Sequence, residues 1–381
     1  MIIVPSLPEL FWDFPIEGVP GESALVVSRP DIQALFILNQ AASFIWKSLR
    51  NGNSYESLAE RFAERFGLSL SRAATDIEST LDSWSQNLLS PPRATASVAP
   101  PHRPPASGLA FICDYTIGET HVRLVADDAE FVEEIVPRLA HLRAGPHSSG
   151  ATYHVFRQDG QLWVFCGDSC IGAEPEVTVA RTILLEEMAR LSRPGTDWLT
   201  ILHAGACGTE AGCVIMPAAT HSGKSTLAAA LMHSGLHLFS DDFAAIDRHT
   251  LQVVTLPFAL MLREGSWPVL EPYFPELTSY PILDRNGYTV RFLPPPQPGR
   301  QARSAPPRCL LFVQFQPGAQ AQLQPVTKFE SLLGLQKSGF WVPHNRESIA
   351  QFLSWVQSLP AYTLTYSDLS EAIPLVQSLL A

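Results

Sequence analysis

Apolar positions follow two different periods along residues 1–90. The runs SALVVSRP and QALFILN predict two short strands, at 23–30 and 33–39. In the three stretches that follow, apolar residues return every three or four positions, which predicts helices. Each stretch begins after a residue that can cap a helix: Asn39, Ser54, and Ser69 or Ser71. Two strands followed by three short helices are typical of a winged-helix domain.

A proline-rich stretch ends this unit. SPPRATASVAPPHRPPASG can neither continue a helix nor pair as a central strand, because proline lacks the backbone N–H. We therefore predict an N-terminal domain at 1–90 and a linker at 91–108.

Beyond the linker the pattern is one of hairpins and helices. LAFICDYTIGETHVRLVAD and TYHVFRQDGQLWVFCGD predict hairpins that turn at Gly118 and Gly160. Helical spacing follows each hairpin, at 129–143 and 177–192. Residues 109–199 are thus predicted to form a small α+β segment.

From WLTILHAGACG onward the order becomes strand, strand, loop, helix and strand, as in a nucleotide-binding α/β core. We assign this core to a domain at 200–381. Its end, LPAYTLTYSDLSEAIPLVQSLLA, predicts a strand and a closing helix capped by Ser367.

Composition then narrows the classes of function. The net charge is −11, and the four lysines are scattered, which argues against a nucleic-acid or anionic-membrane partner. Cys166 and Cys170 are four apart, but no second pair or nearby histidine completes a zinc set, so we interpret the cysteines as thiols. Prolines and acids interrupt the apolar start of the chain, and no run reaches membrane-spanning length. A cytoplasmic setting is expected.

One of those lysines falls at a phosphate-binding position. MPAATHSGKSTLAAALMHSG predicts a strand end, a loop and a helix, close to the pattern G-x-x-x-x-G-K-[ST]. In that pattern the helix N-terminus holds phosphate, the lysine reaches the β and γ phosphates, and the hydroxyl binds Mg²⁺. The alternative is an ordinary helix start. The predicted nucleotide-binding residues are Ser222, Gly223, Lys224, Ser225 and Thr226.

The first glycine of the pattern is replaced by Ala218. A small side chain is tolerated there if the position does not need a positive φ. One helix later, LHLFSDDFAAID places Asp241 and Asp242 at a strand end, where a carboxylate can hold the Mg²⁺ that bridges phosphates. The alternative for this pair is a solvated turn. In the similar string LVADD, we interpret Asp127 and Asp128 as a surface pair at a helix start.

Together, LHAGAC, PAATHSGKSTLAAAL and SGLHLFSDD resemble the core of the HPr kinase/phosphorylase family and its HPr kinase-related branch. The resemblance is strong over about 200–250 and implies ATP and Mg²⁺ as cofactors. It implies that His203, Asp241 and Asp242 are catalytic. Asp241 would accept a hydroxyl proton while Asp242 and Ser225 hold Mg²⁺, or the two aspartates would exchange roles.

Two features depart from that family. Its loop usually holds more glycines, and here Ala218 and His221 stand at two of those positions. The family's segment for phosphorolysis is also missing after the core, so the reverse phosphorylase activity is not expected. For His203, the alternative is a structural histidine at a strand end.

The N-terminal unit resembles a second family. LFILNQAASFIWKSLRNGNSYESLAERFAERFG and ATDIESTLDSWSQNLLS are similar to PqqD-like domains, the precursor-peptide recognition elements of ribosomal peptide modification. The resemblance implies that a leader peptide is added as a strand to the sheet edge, beside the last helix. A DNA-binding winged helix is the alternative, and the many acids of this unit argue against it. The implied peptide-binding residues are Ala34, Leu35, Phe36, Ile37, Asp76, Thr80 and Trp84.

The expected fold is therefore an α/β P-loop kinase core of HPr kinase-like type, with a small α+β segment and an N-terminal winged-helix, PqqD-like domain. The resemblances imply an ATP-dependent kinase that phosphorylates a Ser or Thr hydroxyl of a ribosomally made precursor peptide. Other modifying enzymes of the pathway are candidate partners. One alternative is a non-catalytic nucleotide-binding adaptor that delivers the precursor, which the glycine-poor loop favours. A small-molecule kinase is another, but it leaves the N-terminal unit without a role.

Overall fold

A computed structural model describes residues 11–17, 23–90, 100–101, 110–146, 150–217, 222–256, 258–285, 287–295 and 303–381. The chain forms two compact units. The first takes in residues up to 97 together with 327–333 and 343–358, and the second takes in 98–326, 334–342 and 359–381. The predicted linker at 91–108 falls almost wholly outside the described residues, as do Ala218 and His221 of the predicted loop.

The first unit begins with a three-stranded sheet and three helices. The strands are antiparallel in the order β1-β2-β3. The elements are β1 (Trp12–Glu17), β2 (Ser23–Arg29), β3 (Ala34–Leu38), α1 (Gln40–Arg50), α2 (Tyr55–Phe66) and α3 (Leu70–Gln86). The two predicted strands and three predicted helices are confirmed. So are the caps, because the side chains of Asn39, Ser54 and Ser69 accept backbone N–H bonds from the first turns.

Strand β1 was not predicted. Its residues WDFPIE alternate between buried and more exposed positions, with Phe14 and Ile16 buried. A proline and two acidic residues lie within the run, so this alternation is not evident from the sequence. Pro15 is tolerated because β1 lies at the edge of the sheet. The core of this unit centres on Trp46, whose ring packs edge-to-face against Phe11 and Trp84 and whose Nε1 donates to Asp13 at 3.0 Å.

The second unit opens with a five-stranded sheet in the order β4-β5-β6-β7-β8, in which only β5 and β6 are parallel. The predicted hairpin turns at Gly118 and Gly160 are confirmed, both with positive φ. The first predicted helix ends at Leu139, four residues early, and continues as a short 3-10 turn. The elements are β4 (Phe111–Ile117), β5 (Thr120–Ala126), α4 (Ala129–Leu139), β6 (Ala151–Gln158), β7 (Gln161–Cys166), β8 (Ser169–Glu174) and α5 (Val177–Leu191).

Over 198–240 the structure has three strands before helix α6 and strand β12, where two were predicted, because the run WLTILHAGACG divides at His203 into strands of two different sheets. The remaining elements are β9 (Trp198–Leu202), β10 (Ala204–Thr209), β11 (Gly212–Pro217), α6 (Lys224–His233), β12 (His237–Ser240), β13 (Ala244–Asp247), β14 (Val253–Val254), β15 (Leu260–Arg263), α7 (Trp267–Leu270), β16 (Leu283–Arg285), β17 (Tyr288–Leu293), β18 (Ser304–Ala305), β19 (Pro307–Phe315), β20 (Gln322–Pro325), α8 (Lys328–Ser338), β21 (Phe340–Trp341), α9 (Arg346–Ser358), β22 (Ala361–Tyr366) and α10 (Leu369–Ser378).

Two features near the chain end differ from expectation. Helix α9 belongs to the first unit, where it packs against β1. The closing strand and helix, β22 and α10, are as predicted, but the cap is wrong. Asp368 accepts the bond from the Ser370 N–H, whereas the Ser367 hydroxyl donates to the Ala319 carbonyl in a neighbouring turn.

A six-stranded sheet in the order β12-β10-β11-β19-β22-β20 positions the candidate site. Strands β11, β19 and β22 run parallel to one another. Strand β10 is antiparallel to both β11 and β12, so β12 points the same way as β11. The ends of four strands therefore lie along one edge, together with the start of β10. Helix α6 covers one face, where Leu227 and Leu231 are fully buried in the core.

Two smaller sheets complete this mixed α/β unit. One has the order β18-β14-β13-β9-β21 and the other β15-β17-β16. All six cysteines are free thiols. Among the described residues, none of the helices combines the length and the apolar character needed to cross a membrane.

Candidate functional site

The edge of the six-stranded sheet brings the predicted core residues together. Asp241 and Asp242 follow the last residue of β12, and His203 stands between β9 and β10. Because Ala204 pairs with Pro217, His203 lies at the same edge where β11 enters the predicted loop. Helix α6 begins there with Lys224.

Gly223 sets the start of α6. Its φ is +88°, in the left-handed region that favours glycine. A Cβ at this position would lie 2.6 Å from the Tyr366 hydroxyl and 2.9 Å from the Phe315 Cβ. The Tyr366 hydroxyl donates to the Gly223 carbonyl at 3.1 Å. Gly223 has no side chain to cap the helix, and the first amide of α6, the Lys224 N–H, donates instead to the Ser222 hydroxyl at 3.4 Å.

Lys224 is buried against the acidic pair. Its Nζ donates to the backbone carbonyl of Asp241, lies 3.0 Å from the Asp242 carboxylate, and lies 3.4 Å from that of Asp241. Burial opposes the charge of the ammonium. The two carboxylates outweigh burial and raise the pKa of Lys224 above its ordinary value. The side chain is therefore a charged donor at neutral pH.

The two aspartates occupy different environments. Asp241 is buried, and its carboxylate accepts bonds from the Ser225 hydroxyl at 2.8 Å and the Met261 N–H at 3.2 Å. Asp242 is more open, with a fifth of its side chain exposed. Both lie within the turn that Ser240 closes, since its hydroxyl accepts the Phe243 N–H at 2.8 Å. The alternative of a fully solvated turn is wrong for this pair.

Two cations, Lys224 and Arg138, lie beside Asp242. Burial favours its neutral form, but the charges of Lys224 and Arg138, together with the neighbouring His203, hold its pKa well below the ordinary value. At Asp242 the cations therefore outweigh the effect of burial.

A hydrogen bond at Nδ1 orients the His203 ring so that its other nitrogen, Nε2, faces Asp242. Nδ1 lies 3.0 Å from the Ser338 carbonyl, which can only accept, so Nδ1 is the donor. Nε2 then lies 3.6 Å from the Asp242 carboxylate. The backbone N–H of His203 also donates to the Gly339 carbonyl at 2.9 Å. The exposed imidazole is thus held beside the Asp242 carboxylate.

Arg138 is the site residue that sequence reasoning missed. It comes from α4, in the segment to which we assigned no chemistry, and its Nη1 donates to Asp242 at 2.9 Å. Only 3% of its side chain is exposed, and the guanidinium lies over the Phe292 ring. The signal was its place on the buried stripe of α4 beside Phe131 and Ile135, because a charge at a core position needs a partner.

The two aspartates predicted as a surface pair in the same segment, Asp127 and Asp128, each bind a neighbouring side chain. Asp128 caps α4 and pairs with Arg157 at 2.7 Å, and Asp127 pairs with the buried His154 at 2.9 Å. Both carboxylates are held by local side-chain partners at the start of α4, so their place at a helix start is confirmed and the surface interpretation is wrong.

The oxygens near Lys224 suit a hard divalent cation. The Ser225 hydroxyl and the Asp241 carboxylate are already within 2.8 Å of each other, and Mg²⁺ takes one or two protein oxygens plus phosphate oxygens. Across the described residues, no cluster of three His, Cys, Asp or Glu residues forms a metal site made by protein alone. Thr226, the remaining predicted nucleotide-binding residue, lies half-buried in the first turn of α6.

The predicted peptide-binding residues lie on the first unit. Ala34, Leu35, Phe36 and Ile37 form most of β3, which stands at the edge of its sheet opposite β1. On α3, the Asp76 carboxylate pairs with Arg72 at 3.0 Å, and the Thr80 hydroxyl donates to the Asp76 carbonyl. Trp84 is 6% exposed and packs against Trp46 in the core. Their roles in binding stay predictions.

Comparison with known proteins identifies part of the first unit. Residues 25–89 match the family described as coenzyme PQQ synthesis protein D (PqqD). The match runs from β2 past the end of α3, so the N-terminal unit contains a PqqD-like domain. No curated protein matches the chain. The PqqD match does not include 200–250, and the HPr kinase-like core remains a prediction.

Proposed function

We propose that the chain is an ATP-dependent kinase that phosphorylates a Ser or Thr hydroxyl of a ribosomally made precursor peptide, with the PqqD-like domain holding the leader of that peptide. The observation that carries the proposal is the cluster of Lys224, Ser225, Asp241 and Asp242 at the start of α6. This cluster combines a charged lysine, a hydroxyl and two carboxylates at the N-terminus of a helix whose cap residue, Gly223, has no side chain.

The phosphate chain of ATP would bind at the start of α6. The first amides of the helix and the positive end of its dipole favour the phosphate oxygens. Lys224 would exchange part of its contact with the carboxylates for the β and γ phosphates, and its raised pKa keeps it charged for that purpose. Mg²⁺, when bound, neutralises charge that develops on the phosphates.

The geometry favours the exchanged roles of the aspartates. Asp241 is buried and bonded to Ser225, so these two would hold Mg²⁺. Asp242 is more open and faces His203, so it would receive the acceptor hydroxyl. As the hydroxyl oxygen bonds to the γ phosphorus, the bond to the bridging oxygen breaks, ADP leaves, and the hydroxyl proton passes to Asp242.

A carboxylate with a low pKa is a weak base, but the proposed phosphoryl transfer does not need a strong one. Phosphoryl transfer passes through a loose transition state in most analyses, so positioning and charge matter more than early proton removal. Arg138 and Lys224 keep Asp242 ionised and fixed, and an ionised carboxylate is the form that accepts a hydrogen bond from a hydroxyl.

One observation favours the adaptor as a second candidate. The Lys224 ammonium already contacts both carboxylates and the Asp241 carbonyl, so its donors are occupied by the protein. The loop before it is also poor in glycine. A protein that binds nucleotide without turnover would need no more than this. It would still present the precursor peptide through the PqqD-like domain.

Calorimetry with ATP and Mg²⁺ tests the nucleotide site. Lys224→Ala should lower the affinity at least tenfold, because the interaction with two phosphates is lost. The matched control is Lys47→Ala, which removes an exposed lysine of the first unit. Equal ATP affinities for wild type and Lys224→Ala would refute the proposed phosphate site, and with it both the kinase and the adaptor.

A further inference from the structure

Phe315 has an exposed aromatic ring at the edge of the sheet that carries the candidate site. It is the last residue of β19, at the same edge of the six-stranded sheet as the start of α6. Of its surface, 48% is exposed, although the strand behind it is largely buried. Its aromatic face is therefore open to a ligand that lies along this edge.

The surroundings of Phe315 fix its position relative to α6. Its backbone N–H donates to the Ser222 carbonyl at 2.9 Å, and its Cβ lies close to the Gly223 backbone. Tyr366, its register partner on β22, is buried and packs edge-to-face against the ring at 5.7 Å. The Tyr366 hydroxyl also binds the Gly223 carbonyl. The ring is therefore held next to the start of α6.

The strand order places the acidic pair and Phe315 at different points along the edge of the six-stranded sheet. Asp241 and Asp242 follow β12, the predicted loop follows β11, and Phe315 ends β19 on the far side of β11. Three strand spacings, or about 14 Å, separate β12 from β19. An extended nucleoside triphosphate can lie along this edge with its γ phosphate near the acidic pair, and its base then falls beside β19 and β22.

We propose that the Phe315 ring stacks on the base of the bound nucleotide, with Tyr366 holding that ring in place. The proposal rests on the nucleotide site proposed above. Stacking uses the π-face that every base presents, so it supplies affinity without selecting strongly among bases. Adenine and guanine nucleotides should consequently bind with similar affinities.

Calorimetry on the full chain with Mg²⁺ tests the stacking, with ATP and inorganic tripolyphosphate as the two probes. Phe315→Ala should weaken ATP about tenfold and leave tripolyphosphate within twofold, because the second ligand has no base. Phe315→Trp should retain ATP affinity. Val269→Ala is the matched control, since Val269 is also 48% exposed but lies on α7.

The possible outcomes separate the two proposals. Unchanged ATP affinity in Phe315→Ala, with a loss in Lys224→Ala, would overturn the stacking and leave the nucleotide site standing. An equal loss of both probes in Phe315→Ala would also overturn it, since a base contact cannot weaken a ligand that has no base. Wild-type protein that binds neither probe would overturn the nucleotide site and the stacking together.

Discussion

The guanidinium of Arg138 lies 2.9 Å from the carboxylate of Asp242, although the two residues are 104 positions apart in the sequence. This ion pair joins the segment of residues 109–199 to the candidate site. It also gives Asp242 a second cationic neighbour beside Lys224. The position of Asp242 thus depends on a helix outside the predicted nucleotide-binding core.

Removing Arg138 should destabilise the second unit. Arg138→Met leaves Asp242 with less compensation in a buried cluster, which typically costs about 3–5 kcal/mol. Urea unfolding measures the change in free energy. Arg193→Met is the control, because its ion pair with Glu119 is largely exposed and should contribute little. Equal losses for the two variants would contradict the structural importance of the Arg138–Asp242 pair.

The acidic pair should make stability depend on pH in a defined direction. The pKa of Asp242 is lowered on folding, so its contribution is full above the ordinary aspartate value of 3.8 and disappears as the pH falls through the folded value. Asp242→Asn should therefore be less stable than wild type at pH 6, and the gap should narrow below pH 4.

Urea unfolding at pH 6, 4 and 2.5 measures that gap. Asp197→Asn is the control, since Asp197 pairs with Arg248 but has more than half of its side chain exposed. A constant difference between Asp242→Asn and wild type over the whole range would show that the cluster does not hold the Asp242 pKa low.

Gly223 should resist substitution for two separable reasons. Gly223→Ala combines a left-handed φ with overlap against the Tyr366 hydroxyl and Phe315, and we expect a loss of about 1–3 kcal/mol in the free energy of unfolding. Gly235→Ala has the backbone penalty alone, because φ is +98° and nothing lies within 4 Å of the added Cβ.

The difference between the two alanine variants isolates the overlap. Tyr366→Phe in the Gly223→Ala background should restore part of the stability, since it removes the nearest clashing atom. If Gly223→Ala is no less stable than Gly235→Ala, the close approach of Tyr366 to the helix start is not a constraint on this position.

The PqqD-like domain should bind a leader peptide along β3. When the leader is added to the full chain, backbone hydrogen bonds to a new strand should slow amide hydrogen exchange within 34–38. Strand β1 at 12–17 is the internal control, because it forms the opposite edge and packs against α9. Protection at β1 in place of β3 would reject the predicted edge, and protection by duplex DNA in place of the leader would reject the peptide role.

Local features of the fold could be predicted from the sequence, because short-range periodicity and caps determine them. The helices after Asn39 and Ser54 and the hairpin at Gly160 are examples. The convergence of His203 and Lys224 on the acidic pair was also predicted, through a resemblance. In contrast, the contacts of Arg138 and α9 join distant parts of the chain, and no local pattern specifies which distant partner a buried charge or an apolar helix face will meet.

The most direct test of the central proposal is mass spectrometry of the precursor peptide after incubation with the full chain, ATP and Mg²⁺. A small precursor encoded beside this gene would supply the substrate. We predict one added phosphate on a Ser or Thr with wild type, and none with Asp242→Asn, which should still bind ATP. No added phosphate with wild-type protein that binds both ATP and the precursor would contradict the kinase and leave the adaptor as the function.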